Sequence, residues 1–245
     1  MKKSDDRSAP SRRQMLSRAA AVGGAATIAL STGAAYAPGA SAATGADTVE
    51  VPGISAAYIL PSGEHGFVRE EEAHHSDRAA GTTRTLAVRF PTLPKNFARG
   101  VDAAYVLPNG VHGFVKDGEV HHTDWTAGTT RRLSAQFPGL PKGFARGVDT
   151  AYVLPNGVHG FIKDGEVHHT DWTAGTSKKL ADRFPTLPSH FAAGVSAVFI
   201  RPDWVYVFIR GNEVHRTDLG KKAIRKLADE FPELPEAWTA VAPGH

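Results

Sequence analysis

The chain has 245 residues, with 28 Lys and Arg against 25 Asp and Glu, and it contains no cysteine. Without cysteine it forms no disulfide bond, and both thiolate catalysis and cysteine-ligated zinc are excluded. Residues 1–42 hold the excess of positive charge, because the rest of the chain has 22 basic and 23 acidic residues and no basic run longer than two. We therefore expect no nucleic-acid partner.

The first 42 residues have the three parts of an export signal. A basic head with Arg12-Arg13 precedes a weakly apolar stretch over residues 19–30 and small residues that end in Ala40-Ser41-Ala42. The apolar stretch is too short to span a membrane, and the ending matches a cleavage site. Paired arginines are typical of twin-arginine (Tat) signals, which export folded proteins. We predict a Tat signal peptide over 1–42, a linker over 43–50 and an extracellular protein; a disordered basic leader is the alternative.

Four copies of one unit follow, in register and without insertions. Equivalent residues recur at intervals of 47: Tyr58, Tyr105, Tyr152 and Phe199; Phe67, Phe114, Phe161 and Phe208; Asp77, Asp124, Asp171 and Asp218. A Phe-Pro pair closes each copy, at Phe90, Phe137, Phe184 and Phe231. The spacing predicts units over 51–100, 101–147, 148–194 and 195–236, followed by a C-terminal tail over 237–245.

Each unit is predicted to contain three short strands and a connector, as the second copy illustrates. Apolar and β-branched residues predict strands over 102–107, 111–116 and 119–123. Pro108-Asn109-Gly110 is a turn signal, and Asp117-Gly118 supplies the two positive-φ positions of a tight hairpin. Residues 126–136 predict a short helix or turn, with Thr129 as a candidate N-cap and Phe137-Pro138 as the stop.

The first unit departs from this pattern at its second turn, where Glu70-Glu71 replaces Asp-Gly. Glutamate is disfavoured at positive φ, whereas glycine tolerates it. We therefore expect the substitution Glu71→Gly to stabilise the protein.

Four small-stranded units of equal length favour a propeller, because such a set can close into a ring, whereas a solenoid needs capping repeats. One run in the second unit is Asn109-Gly-Val-His-Gly-Phe-Val-Lys-Asp-Gly-Glu-Val-His-His-Thr-Asp124, and it resembles the strand pair of the hemopexin-repeat family. Its joint between blades resembles Phe137-Pro-Gly-Leu-Pro141 followed by Val148-Asp-Thr-Ala-Tyr152. The resemblance covers about residues 51–235 and implies an all-β fold, a four-bladed β-propeller with short helical connectors and a narrow channel.

Two features depart from that family. Its first and last blades are usually joined by a disulfide, which a chain without cysteine cannot form. The aromatic residue expected in the second strand is replaced by Gly66, Gly113 and Gly160 in three copies. Ring closure and interblade packing must therefore rest on other contacts.

The resemblance also implies an ion site in the channel, formed by backbone groups where each innermost strand begins. The matching positions are Ser55, Asp102, Asp149 and Ser196. A ring of carbonyl oxygens suits a hard cation such as Ca²⁺ or Na⁺. The alternative is that these residues only begin strands and that the channel holds water.

Histidines form the second candidate site. They recur at His74, His121, His168 and His215, and at His65, His112 and His159. Opposite blades are too far apart for these rings to share one metal. Within one hairpin, however, His112 and His121 are expected on one face as diagonal neighbours, where they could ligate a transition metal or a haem. No acidic third ligand accompanies them, so packing is the competing interpretation.

Trp125 and Trp172 are the third candidate, since each follows a third strand within an Asp-Trp-Thr-Ala-Gly run. An exposed tryptophan there could stack on a sugar or an aromatic ligand. Interblade packing is the alternative.

Taken together, these features favour a secreted, monomeric binding or interaction module with an unknown protein or small-molecule ligand and no membrane span. Haem or transition-metal binding through the histidines is the main alternative. An enzyme acting at the disc face or channel is a second one, although no nucleophile–base or metalloprotease motif is present.

Overall fold

The computed structural model describes residues 53–77, 80–219 and 223–240. The predicted signal peptide and linker lie outside these residues. The described residues form sixteen strands in four antiparallel sheets of four strands each. The first strand of each sheet contacts the first strands of both neighbouring sheets, so it is the innermost strand of a blade in a closed ring. The predicted four-bladed β-propeller is confirmed.

The strand bounds are nearly the same in every blade. Blade 1 contains β1 (Ala56–Ile59), β2 (His65–Arg69), β3 (Glu72–Ser76) and β4 (Gly81–Thr85). Blade 2 contains β5 (Ala103–Val106), β6 (His112–Lys116), β7 (Glu119–Thr123) and β8 (Gly128–Arg132). Blade 3 contains β9 (Thr150–Val153), β10 (His159–Lys163), β11 (Glu166–Thr170) and β12 (Gly175–Lys179). Blade 4 contains β13 (Ala197–Ile200), β14 (Tyr206–Arg210), β15 (Glu213–Arg216) and β16 (Ile224–Lys226).

Short helices connect the blades, as predicted. They are α1 (Leu86–Arg89), α2 (Leu133–Gln136), α3 (Lys142–Ala145), α4 (Leu180–Arg183), α5 (Ser189–Ala192), α6 (Leu227–Glu230) and α7 (Glu236–Thr239). Two 3-10 helices cover Phe97–Arg99 and Thr217–Leu219. Within the described ranges, no helix is long and apolar enough to cross a membrane.

Each blade has a fourth strand that the sequence interpretation missed. In blade 2 the segment predicted as a helix or turn, 126–136, contains β8 over Gly128–Arg132, and only its last four residues, α2, are helical. Thr129 therefore lies in a strand, and Arg132 is the N-cap residue of α2. All five residues of β8 are exposed, so the strand lacks the alternation of apolar side chains by which strands are recognised.

The turn between the second and third strands is of two kinds. In blade 2, Asp117 and Gly118 have φ angles of 49° and 77°, as the predicted tight hairpin requires. In blade 1, Glu70 has a φ of 51°, whereas Glu71 is outside the left-handed region. The expectation that Glu71 needs to be glycine is therefore wrong, and Glu70 is the residue in a disfavoured backbone conformation.

The hydrophobic core consists of four clusters, each shared by two neighbouring blades. The phenylalanine of each Phe-Pro pair supplies a central contact, because its ring packs edge-on against the second strand of the next blade. The ring centroids are 4.6 Å apart for Phe90 and Phe114, 4.8 Å for Phe137 and Phe161, 5.0 Å for Phe184 and Phe208, and 4.9 Å for Phe231 and Phe67. The joint from blade 4 to blade 1 is thus equivalent to the other three.

Further contacts close the ring without a disulfide. The Ser76 hydroxyl donates a hydrogen bond of 2.9 Å to the Glu233 carboxylate, and the Arg69 guanidinium donates one to the carbonyl of Ala237. Trp238 in α7 is buried at the same joint. Helix α7, most of which belongs to the segment assigned above to the C-terminal tail, therefore contributes to closure.

Candidate functional site

In the first three blades, a tyrosine of the innermost strand reaches across the second strand to a histidine of the third. Tyr58 lies opposite Gly66, which lies opposite His75, and a hydrogen bond of 2.7 Å joins the Tyr58 hydroxyl to His75 Nε2. A β-carbon on Gly66 would overlap the tyrosine ring. The same arrangement recurs at Tyr105, Gly113 and His122, and at Tyr152, Gly160 and His169. An aromatic residue is expected at each of these glycines. The tyrosine ring of the innermost strand occupies the space that such a side chain would fill.

The candidate histidines of the second strand are buried between blades. The ring centroid of His112 lies 5.0 Å from that of Phe90 and 4.8 Å from that of Trp125. His159 packs in the same way at the next joint, and His65 does so between blades 4 and 1. Burial lowers the pKa of His112 to about 4 and that of His159 to about 3. These rings are therefore neutral at pH 7.

The candidate histidines of the third strand are held against the fourth. A hydrogen bond of 2.8 Å joins His121 Nδ1 to the Thr130 hydroxyl, and a β-carbon on Gly128 would overlap the Nε2 side of the ring. His74 and His168 make the matching bonds to Thr83 and Ser177. His215 is fully buried opposite Ile224. The hydroxyl and glycine of the fourth strand thus form a fitted cradle for each of the first three rings.

The hairpin has the predicted register, with His112 opposite Thr123 and Phe114 opposite His121. The two histidines therefore share a face, as expected. In the part of the chain that the structure describes, no group of three or more His, Cys, Asp or Glu side chains is placed to hold a metal ion. Haem or metal ligation by the histidines stays a prediction.

The four channel candidates direct their side chains into their own blades. Asp102 Oδ2 accepts a hydrogen bond of 2.9 Å from the Asp117 amide, and Asp149 does the same for the next hairpin. The hydroxyls of Ser55 and Ser196 donate to carbonyls of the second strands. The channel holds a cavity of about 20 Å³, which accommodates one water-sized species. A carbonyl-bound Ca²⁺ or Na⁺ stays a prediction.

Trp125 and Trp172 lie in the loops that follow the third strands. Trp125 stacks on Phe90 with ring centroids 4.6 Å apart, and Trp172 stacks on Phe137 at 4.9 Å. Both have left-handed backbones, with φ angles of 80° and 87°. Interblade packing accounts for both rings, and ligand stacking on them stays a prediction.

Blade 4 contains a crevice that the sequence interpretation did not single out. Its volume is about 230 Å³, and its walls are Arg201, Arg216, Glu230, Phe231, Pro232 and Glu233. It opens where β13 ends, since Arg201 is the next residue. We refer to it as the blade 4 crevice.

An ion-pair network holds one wall of the crevice in place. Arg216 lies 3.0 Å from Glu230 and 2.6 Å from Asp218, and Arg225 lies 2.9 Å from the other oxygen of Glu230. The hydrogen bond from Arg216 lowers the pKa of Asp218. Because two carboxylates hold its guanidinium from different sides, Arg216 keeps a fixed orientation.

Blade 4 differs from the other blades at the positions that form this crevice. Arg216 stands where they have His75, His122 and His169, and Arg201 where they have Leu60, Leu107 and Leu154. Phe199 and Val207 replace the tyrosine and glycine of the other blades, so blade 4 has no Tyr–His pair.

The turn after β13 carries Trp204 where the other blades have Gly63, Gly110 and Gly157. Its φ is 65°, and half of its surface, 50%, is exposed. Superposing the four copies would have shown this residue, because glycine occupies its position in the other three blades.

The fold is shared with known four-bladed propellers. A hemopexin-fold protein from cow pea has a TM-score of 0.64 and 19% identity, covering 74% of this chain and 96% of that chain. A seed albumin from Lathyrus sativus has a TM-score of 0.67 and 16% identity, with 76% and 98% covered. A plant lectin with two metal binding sites from Cicer arietinum has a TM-score of 0.64 and 16% identity, with 73% and 95% covered. No protein-family profile and no curated protein matches the chain.

Proposed function

We propose that this hemopexin-fold propeller is an exported binding module whose ligand binds in the blade 4 crevice. The observation that carries the proposal is that several residues shared by the other three blades are replaced together in blade 4. Three blades repeat a buried Tyr–Gly–His arrangement, whereas blade 4 places Arg201 and Arg216 on the wall of a concave site. Binding sites are typically concave, with a few polar groups that converge on the ligand.

The apolar part of the crevice supports the same assignment. At two other joints the phenylalanine of the Phe-Pro pair is covered by a tryptophan, as Trp125 covers Phe90. At the joint into blade 1, Phe231 lines the crevice beside Pro232, and the position equivalent to Trp125, Arg78, lies outside the described residues. The site therefore combines an apolar wall with charged groups held by the Arg216–Glu230 ion pair.

The lectin among the similar structures is by name a binding protein, which supports a binding role for a propeller of this fold. At 16% identity the similarity shows a shared fold alone, so the ligand has to be inferred from the residues of this chain.

Export is part of the proposal and rests on the leader sequence. Replacing Arg12 and Arg13 by lysine should leave the protein inside the cell, because the arginine pair is the recognised feature of a Tat signal. Replacing Arg7 and Arg18 by lysine is the matched control and should leave secretion unchanged. Secretion of the Arg12→Lys, Arg13→Lys protein at the normal level would contradict the Tat route.

The binding site is tested by returning blade 4 to the residues of the other blades. The purified protein is screened by thermal shift and calorimetry against neutral sugars, uronic acids, polyamines and aromatic carboxylates. Arg201→Leu should abolish the binding of the ligand found, whereas Arg84→Leu, on the exposed fourth strand of blade 1, should not. A ligand that binds both variants equally would place the site outside the crevice.

A further inference from the structure

Trp204 is under backbone strain, and no aromatic stacking offsets that strain within the described residues. A non-glycine residue at its φ of 65° is disfavoured, above all a bulky one. Trp125 and Trp172 share the left-handed conformation, but each stacks on a phenylalanine. Among the described residues Trp204 takes part in no aromatic ring contact, and half of its surface is exposed.

Residues held in such conformations cluster at binding and active sites. Glycine stands at the same position in the other three blades, where an added β-carbon would meet nothing within 4 Å. The turn itself therefore folds without a side chain. The indole of Trp204 is an addition to the surface and is not needed for the turn.

The turn that carries Trp204 adjoins the blade 4 crevice, although the indole itself is not one of the crevice walls. The Trp204 amide donates a hydrogen bond of 2.9 Å to the carbonyl of Arg201, whose side chain lines the crevice. Arg201 also pairs with Asp203 at 3.0 Å. An aromatic surface and charged hydrogen-bonding groups thus belong to one tight turn.

The crevice offers donors and acceptors without a net charge. Its charged walls are two arginines, Arg201 and Arg216, and two glutamates, Glu230 and Glu233. Arginine donates hydrogen bonds and glutamate accepts them. The volume of about 230 Å³ lies below that of sites for drug-sized ligands, which suits a ligand of one ring.

We infer that the ligand of the blade 4 crevice is a neutral saccharide, an inference that rests on the proposed binding function. Sugar hydroxyls both donate and accept hydrogen bonds, so they match arginine and glutamate side chains together. The C–H face of a sugar ring is apolar and flat enough to stack on Trp204. Because the crevice walls carry equal numbers of positive and negative side chains, they should favour neither a polyanion nor a polycation as the ligand.

The experiment uses calorimetry with glucose, galactose, mannose, N-acetylglucosamine and their disaccharides, and compares glucuronate and spermidine. Trp204→Gly, which installs the residue of the other blades, should weaken sugar binding about tenfold or more while raising the melting temperature. Trp204→Phe should keep most of the affinity. Val88→Ser, at another exposed apolar side chain, is the control and should bind normally.

The possible outcomes distinguish a failure of the saccharide inference from a failure of the proposed binding site. Sugar binding that is unchanged in Trp204→Gly would overturn the inference. Binding of glucuronate or spermidine alone, weakened by Arg201→Leu, would overturn the saccharide class while leaving the crevice as the site. If Arg201→Leu weakens no ligand of the panel, both the inference and the proposed site fail.

Discussion

Trp238, in α7, packs edge-on against His74 in β3, with ring centroids 5.9 Å apart and ring planes inclined by 60°. Equivalent contacts with tilted rings recur at the other joints, between Phe97 and His121 at 5.9 Å, Phe144 and His168 at 5.8 Å, and Phe191 and His215 at 6.1 Å. One aromatic residue after each blade thus holds the third strand of the next blade. The tryptophan after blade 4 holds blade 1, and it closes the ring.

Trp238→Ala should therefore open the joint between blades 4 and 1. Removing a buried large aromatic ring costs about 3–5 kcal/mol, and Trp238 is 7% exposed. Urea unfolding should show this loss in the free energy of unfolding. Trp238→Phe, which installs the residue of the other joints, should lose much less. A Trp238→Ala protein as stable as the original would show that the ring is closed by other contacts.

The repeat made most of the fold predictable from the sequence. Equal spacing defines the blades, and Asp117-Gly118 determines the register of its hairpin because two positive-φ residues suit only a tight turn. The fourth strands were missed because a fully exposed strand has no apolar alternation to reveal it.

The candidate site was less predictable than the fold. The pairing of Tyr58 with His75 depends on the space left by Gly66 on the strand between them, so it follows from register and not from spacing. The blade 4 crevice brings residues after β13 together with residues around α6. Trp204 is visible in the sequence as a departure from the repeat, because glycine stands at its position in the other three copies.

The glycines of the second strands should differ sharply from other glycines in their tolerance of a methyl group. Gly113→Ala should destabilise the protein, because the β-carbon would overlap the Tyr105 ring. Gly143→Ala, in α3, is the matched control, since its β-carbon would meet nothing within 4 Å. It should stabilise by about 0.4–1 kcal/mol. Chemical unfolding measures the change in the free energy of unfolding for both variants. If Gly113→Ala and Gly143→Ala had equal effects, the tyrosine ring could not be packed tightly against Gly113.

The buried histidines should make the protein sensitive to acid. Burial lowers the pKa values to about 3 for His75 and His159, and to about 4 for His112, His122 and His169. Unfolded histidine has a pKa of about 6.5, so below that pH the unfolded chain binds more protons. Stability that is fully present above about pH 6.5 is therefore lost as the pH falls toward about 4. The loss is up to about 1.4 kcal/mol per pH unit for each of the most buried rings, His112 and His159, and smaller for the others because solvent screens them.

Urea unfolding at about pH 7, 6 and 5 measures this loss. His159→Tyr, which installs the residue found at Tyr206 in blade 4, removes one of the groups and should make the dependence on pH shallower. A free energy of unfolding that stays constant from about pH 7 to 5 would contradict neutral burial of these rings.

We expect the blade histidines to give no saturable binding of haem or Zn²⁺. Nδ1 of His121 is held by Thr130, and Gly128 of the neighbouring strand leaves room for the ring alone. A metal at this ring would have to open the contact between β7 and β8. Absorbance titration with haem and calorimetry with Zn²⁺ at neutral pH test this expectation, with His190→Gln as a control for the exposed His190.

Ligation would have a distinct signature. The pairs His65/His74, His112/His121 and His159/His168 would then bind about three equivalents, and affinity would fall below about pH 6.5, because protonated imidazole cannot ligate. His121→Gln would remove one of these equivalents. If the rings are packing residues, the same substitution changes the melting temperature and leaves the titrations flat. A saturable signal of about three equivalents would therefore establish haem or metal binding as a function of the blades, separate from the crevice.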